Sequence, residues 1–271
     1  MIRPPVINVM VSAALKAARS LLHDFGEVEQ LQVSRKGPAD FVSEADRRAE
    51  DILRRELGKA RPGFAMLLEE AGAIAGAEGT TERWIVDPLD GTTNFLHGIP
   101  HFAISIAHEQ DGEIIAALVY EPLRDEAFWA AKGIGAYVNN NRRLRVSARE
   151  HLSDSVLATG IPFADRPGKR EMLAVLEPMM DRTAGLRRFG VASLDLAYVA
   201  AGRFDAFWEI GLAPWDVAAG ILLVREAGGF VSEISGRDDP LNGGTILASN
   251  DRLFKPVGTL LRDARKAARQ N

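Results

Sequence analysis

Two successive patterns constrain what this chain can fold into. Between Trp84 and Val146, short β-prone runs follow one another across tight turns. Beyond Val156, similar runs alternate with helical periods. The first pattern calls for an antiparallel sheet and the second for layered α/β packing. Phe102–His108 and Glu113–Tyr120, separated by Gln110-Asp111-Gly112, read as a hairpin, and Ala127–Ala130 and Ala136–Val138 continue it. In the second region Val156–Ala158, Leu186–Phe189, Phe204–Glu209, Phe230–Glu233 and Thr245–Ala248 read as strands. Lys169–Met180, Ser193–Ala201, Trp215–Ala227 and Leu253–Arg269 read as helices. The polar stretch Ser147–Ser155 separates the patterns, so lobes 1–146 and 147–271 are expected to form one compact unit.

Ahead of the sheet the chain reads helix, loop, helix: Pro5–Phe25, then Ser43–Leu57, with Ser43 and Asp46 placed as in a capping box. Val6, Met10, Ala13, Ala14, Ala17, Leu21 and Leu22 recur at helical spacing, which favours an amphipathic helix over a signal peptide. No run approaches the ~18 apolar residues of a membrane span, so the expectation is a cytoplasmic protein without membrane contact. Gly63–Gly79 reads as a loop around Glu69 and Glu70.

Composition narrows the chemistry by exclusion. There are no cysteines among the 271 residues, which removes disulfides, thiolate catalysis and Cys-ligated zinc. A net charge of −4 provides no global basic field for nucleic acid or anionic lipid. His97 and His101 are four apart, but Pro100 interrupts any helix that would pair them on zinc. The C-terminal Arg252, Lys255, Arg262, Arg265, Lys266 and Arg269 lack interleaved aromatics. They read as the wet face of a helix with Leu253, Val257, Leu260 and Leu261 inward, rather than as an RNA-binding tail.

The segment Trp84–Phe95 (WIVDPLDGTTNF) stands apart. A β-prone run delivers Asp87, Pro88 ends the ladder, and Gly91 permits a tight turn. Two acids separated by two residues on such a turn can converge on a hard cation, for which Mg²⁺ with its oxygen ligands is suited. Thr92 and Thr93 follow, where a helix start would aim N–H groups at phosphate. An ordinary D-P, D-G turn explains the same letters.

That segment resembles the first signature of the inositol monophosphatase family, and Trp215–Gly220 (WDVAAG) resembles its second. Phe41–Asp46, Glu69-Glu70, Lys132–Tyr137 and Arg225–Gly229 also look like family blocks, so the likeness spans the chain. The resemblance implies an αβαβα sandwich of the sugar-phosphatase type, usually dimeric, that hydrolyses phosphate monoesters with two or three Mg²⁺ ions and is sensitive to Li⁺. It implies Glu69, Asp87, Asp90 and Asp216 as side-chain metal ligands, with Leu89 contributing only its carbonyl. Glu69 and Thr92 would orient a metal-activated water, with Asp46 behind Thr92. Gly91, Thr92 and Thr93 would bind phosphate oxygens. Glu209, with Gly190, Ala192 and Asp90, would meet the substrate's alcohol. Asp216 by itself would be an N-cap for a helix beginning near Val217.

Two departures bear on specificity. Val191 stands where relatives often carry Ser or Thr, which puts contact with a polyol hydroxyl in question, and Leu68 stands where glycine is common. The substrate expected is myo-inositol 1-phosphate. The alternatives are fructose 1,6-bisphosphate, histidinol phosphate or 3′-phosphoadenosine 5′-phosphate. The resemblance also implies a different class of role, since some bacterial relatives act as regulatory partners in RNA processing or transcription, alongside or instead of catalysis.

Overall fold

The computed structural model describes residues 3–27, 33–35, 41–140, 142–162 and 168–270, with backbone only at 33–35, 41–43 and 269–270. Lys36 and the side chains of Arg35, Phe41, Val42, Ser43 and Arg269 therefore lie outside the described residues.

Helices α1 (Pro5–Phe25) and α2 (Glu44–Ala60) pack on each other and on one face of an eight-stranded sheet. A short antiparallel pair, β1 (Val33–Arg35) and β2 (Phe41–Ser43), precedes α2. The large sheet is built from β3 (Ala65–Leu68), β4 (Gly72–Ile74), β5 (Glu82–Asp90), β6 (Ala103–Gln110), β7 (Glu113–Glu121), β8 (Glu126–Ala131), β9 (Gly135–Val138) and β10 (Arg142–Arg143). Its order is β10-β9-β8-β7-β6-β5-β3-β4. All its pairings are antiparallel except β3 with β5. Asp111 and Gly112 both have positive φ, 52° and 80°, as a two-residue Asp-Gly hairpin requires.

Alternation along β5 shows why the sheet is covered on both faces. Trp84 and Val86 enter the core beneath α1 and α2, while Ile85 enters the opposite core. That second core holds α5 (Ala192–Ala200), buried throughout, and α6 (Pro214–Glu226), buried from Val217 to Val224, against a second sheet. The second sheet comprises β11 (Val156–Thr159), β12 (Gly185–Arg187), β13 (Ala206–Ile210), β14 (Phe230–Ser232) and β15 (Thr245–Ser249), ordered β12-β11-β13-β15-β14. On its outer face α4 (Lys169–Met180) and α7 (Asp251–Gln270) close a third core around Leu157, Trp208, Leu253, Val257 and Leu261. The layers run helix, sheet, helix, sheet, helix. This is the expected αβαβα architecture.

Three sequence readings change. Gly63–Gly79 is not all loop: Met66 and Leu68 turn inward on β3, whose ladder is the parallel pairing with β5. Leu68 is fully buried in register with Val86, so it serves the core and not the cleft. The last helix begins at Asp251 because the Asn250 side chain caps it, accepting from Leu253 N–H at 2.9 Å. Finally, α1 is long and apolar enough to cross a membrane by length and composition alone, but Ile7, Met10, Ala13, Ala14, Ala17 and Leu21 are packed in the core.

Candidate active site

The first signature lies at the end of β5. Pairing with β6 slips between Asp87 and Asp90, inserting one extra residue that re-aims the strand. Pro88 has no N–H to give to the ladder. Asp87, 2% exposed, accepts from the Leu89 N–H at 2.9 Å. Gly91 follows at φ 97°, and a Cβ there would fall 2.8 Å from Val191 Cγ2 and 3.2 Å from the His101 carbonyl. Both the backbone twist and the lack of space demand glycine. The short helix α3 (Thr92–Leu96) then carries Phe95 into an aromatic cluster with Phe25 and Phe102, which ties this turn to α1. Asn94 donates to the carbonyls of His101 and Phe189, both at 2.9 Å.

The other acids arrive on separate elements. The buried Glu50 carboxylate accepts from the N–H groups of Glu70 (2.8 Å) and Ala71 (3.0 Å), fixing the β3–β4 turn that presents Glu69. Asp46, 1% exposed in the first turn of α2, lies 3.3 Å from the Thr92 hydroxyl, which is also 3.0 Å from the Leu89 carbonyl. Asp90 accepts from the Ser193 N–H at 2.7 Å, so a carboxylate on the large sheet caps α5. Asp216 is not an N-cap residue. It is the third residue of α6, and its carboxylate reaches back to the Ala213 N–H at 2.7 Å.

These acids act on one another. Burial first, then Glu69, Asp90, Asp216 and Asp46 in turn, push Asp87 well above the usual carboxylate range. Asp216 is raised by burial and by Asp90, Glu69 and Glu209. Asp46 is raised by burial and by Glu69, Glu70 and Glu50. Burial brings Asp90 to about 6 against the opposing hydrogen bonds from Ser193 and neighbouring backbone. The fold thus gathers Glu69, Asp87, Asp90 and Asp216 within electrostatic range. Among the described residues no three of them close on one point at metal-ligand spacing. The donor set is oxygen only, its strongest influences on Asp87 are all negative, and a hard divalent cation is the species that answers both facts.

Glu209 sits half-buried near the end of β13, Gly190 lies in the loop before α5 at φ 74°, and Ala192 is the first residue of α5. Val191 is fully buried, with a methyl against Gly91, so its side chain packs the two loops together. Asp195 was not anticipated. It is 0% exposed, neither carboxylate oxygen has a hydrogen-bond partner among the described residues, and it feels Glu209 and Asp90 against Arg188. Its signal was an acid inside the apolar run Ala192–Ala201.

A recess of about 700 Å³ is lined by His101, Arg124, Glu126, Phe189, Tyr198 and Arg203, and by none of the acids around Asp87. Burial, aided by the charge of Arg124, pushes His101 down to about 4. Glu121, 3.8 Å away, is committed to Arg124 at 3.3 Å. Unfolded, His101 binds a proton near pH 6.5. Its neutral form therefore contributes stability that is complete above pH 6.5 and lost as pH falls toward 4. His101→Gln is expected to flatten the acid side of the stability curve, by on the order of 3 kcal/mol at full protonation. Thermal melts from pH 7 to 4 with equal slopes for both proteins would contradict this.

With this geometry in view, the chain compares closely with known proteins. The family model described as "Inositol monophosphatase family" matches residues 3–266. The chain belongs to the inositol monophosphatase family. It is 56% identical over 257 residues to an inositol-1-monophosphatase of Rhizobium meliloti, covering 95% of this chain and 96% of that protein. A Pseudomonas aeruginosa relative named Nus factor SuhB is 46% identical, with 95% and 96% covered. The crystal structure of extragenic suppressor protein suhB from Bartonella henselae superposes with a TM-score of 0.92 at 55% identity, covering 96% and 99%. Inositol monophosphatases are phosphatases and generally metal-dependent.

Proposed function

We propose that this inositol monophosphatase family member hydrolyses myo-inositol 1-phosphate to myo-inositol and phosphate with Mg²⁺, two or three ions per site, in the cytoplasm and as a homodimer. The observation that carries the reading is electrostatic: acids from the β3–β4 turn, β5 and α6 all act on Asp87. The identity with proteins named inositol-1-monophosphatase supports the alcohol.

Glu69, Asp87, Asp90, Asp216 and the Leu89 carbonyl would hold the cations. When bound, Mg²⁺ neutralises the phosphate and acidifies water. The remaining work belongs to the chain. The Thr92 hydroxyl has one proton and two acceptors, Asp46 and the Leu89 carbonyl. Donation to either leaves its oxygen lone pairs able to accept from the attacking water, with Glu69 as the second acceptor. Gly91, Thr92 and Thr93 would bind phosphate oxygens, and Glu209 with Gly190 and Ala192 would meet the ring hydroxyls.

A phosphate-release panel tests the substrate. With Mg²⁺, inositol 1-phosphate is expected to be turned over fastest among fructose 1,6-bisphosphate, histidinol phosphate and 3′-phosphoadenosine 5′-phosphate, and Li⁺ should inhibit it. Preference for another member reassigns the substrate, and no turnover of any sinks the phosphatase reading.

The relatives named Nus factor SuhB favour a second reading, a role beside RNA processing or transcription. A strain carrying only Asp87→Asn separates the two. Retained cellular function without phosphatase activity would make the binding role primary.

A further inference from the structure

The sheet register carries one inference about how the alcohol is selected. β11 and β13 are parallel, with Leu157 beside Ala206, Ala158 beside Phe207 and Thr159 beside Trp208. The Thr159 hydroxyl donates to the Trp208 carbonyl at 2.8 Å, pinning the pair at that point. One residue further, the register sets Gly160 beside Glu209. Gly160 is buried, and the Glu209 carboxylate lies directly over its Cα. A Cβ on Gly160 would fall 1.8 Å from Glu209 Oε1, 1.9 Å from Cδ and 2.4 Å from Oε2. No other described glycine has a carboxylate so close to the position of its missing Cβ. The space a side chain would occupy at 160 is filled by the carboxylate of its neighbour.

We propose that Gly160 is a specificity-determining residue, its bare Cα serving as the seat that fixes where the Glu209 carboxylate meets the substrate's hydroxyls. The inference rests on the reading of Glu209 as a contact to the alcohol. Adding a methyl group at 160 leaves the backbone little reason to move, because the overlapping atoms are the far end of a long side chain. Glu209 would swing instead, still within electrostatic reach of the buried Asp195 carboxyl. The effect should therefore fall on alcohol recognition more than on folding.

The test is steady-state kinetics with Mg²⁺ on inositol 1-phosphate and p-nitrophenyl phosphate, the second lacking ring hydroxyls. For Gly160→Ala, the ratio of kcat/KM for inositol 1-phosphate to that for p-nitrophenyl phosphate is expected to fall about ten-fold. Most of the fall should lie in the KM for inositol 1-phosphate. Glu209→Gln should lower the same ratio. In Gly160→Ala/Glu209→Asp the shorter acid makes room for the methyl, and part of the lost discrimination should return. A ratio unchanged in Gly160→Ala but lowered in Glu209→Gln would overturn the seat alone. A ratio unchanged in Glu209→Gln would overturn the reading of Glu209, and the seat with it. Equal losses on both substrates in Gly160→Ala, with no recovery in the double variant, would also overturn the seat by showing a general structural defect.

Discussion

Replacing Asp87 by Asn is expected to lower Mg²⁺-dependent phosphate release on the order of 10³-fold, about 4 kcal/mol of transition-state stabilisation, while raising the melting temperature of the metal-free protein. Both effects have one source. Asp87 is 2% exposed, and its strongest electrostatic neighbours are Glu69, Asp90, Asp216 and Asp46. Gathering like charges in a buried site costs folding free energy, and a site arranged for a cation accepts that cost. Asn keeps the shape and can still accept from the Leu89 N–H, yet removes one of the repelling charges. Mg²⁺ should stabilise the wild type against heat, as any ligand of the native state does, and stabilise Asp87→Asn far less. Equal Mg²⁺-induced shifts in the two proteins would refute the assignment of Asp87 as a ligand.

Asp90 should separate catalysis from architecture. Its carboxylate accepts from the Ser193 N–H at 2.7 Å and so ties the large sheet to the first turn of α5. Asp90→Ala is expected to lose activity to a similar extent and also about 1–3 kcal/mol of stability, because a buried helix-end donor is left without a partner. Asp90→Asn keeps an oxygen for Ser193, so it should lose the activity and keep most of the stability. Chemical denaturation of both variants beside their phosphate release checks the split. Equal stability losses in Asn and Ala would mean that the charge, not the acceptor, holds α5.

The parts of this site legible in the sequence were those written locally. Asp87, Pro88, Asp90 and Gly91 lie within five residues, and each residue type announces its backbone or ligand chemistry. The helices of the second half were likewise placed within a residue or two, since their apolar periods are local signals. What the sequence hid depends on pairings between distant segments. β3 read as loop although it pairs with β5 on one side and with the short β4 on the other. Glu50 carries no motif in the sequence, although it holds the turn beside Glu69. Asp216 read as an N-cap in isolation because its third-residue position emerges only from where α6 begins, at Pro214. Val191 read as a lost hydroxyl, whereas its burial against Gly91 gives it a packing duty that no one-dimensional pattern records. Gly160 carries no motif at all. Its meaning appears only when the β11–β13 register sets it beside Glu209.

The central claim is that the acids meeting at Asp87 form a cation site whose occupation turns on phosphate ester hydrolysis. The most direct test is phosphate release from inositol 1-phosphate by chelator-treated protein, titrated with Mg²⁺. The account predicts negligible turnover without the metal and a saturable rise with it, absent in Asp87→Asn. Turnover that is undiminished after chelation, or a Mg²⁺ response that Asp87→Asn shares in full, would contradict it.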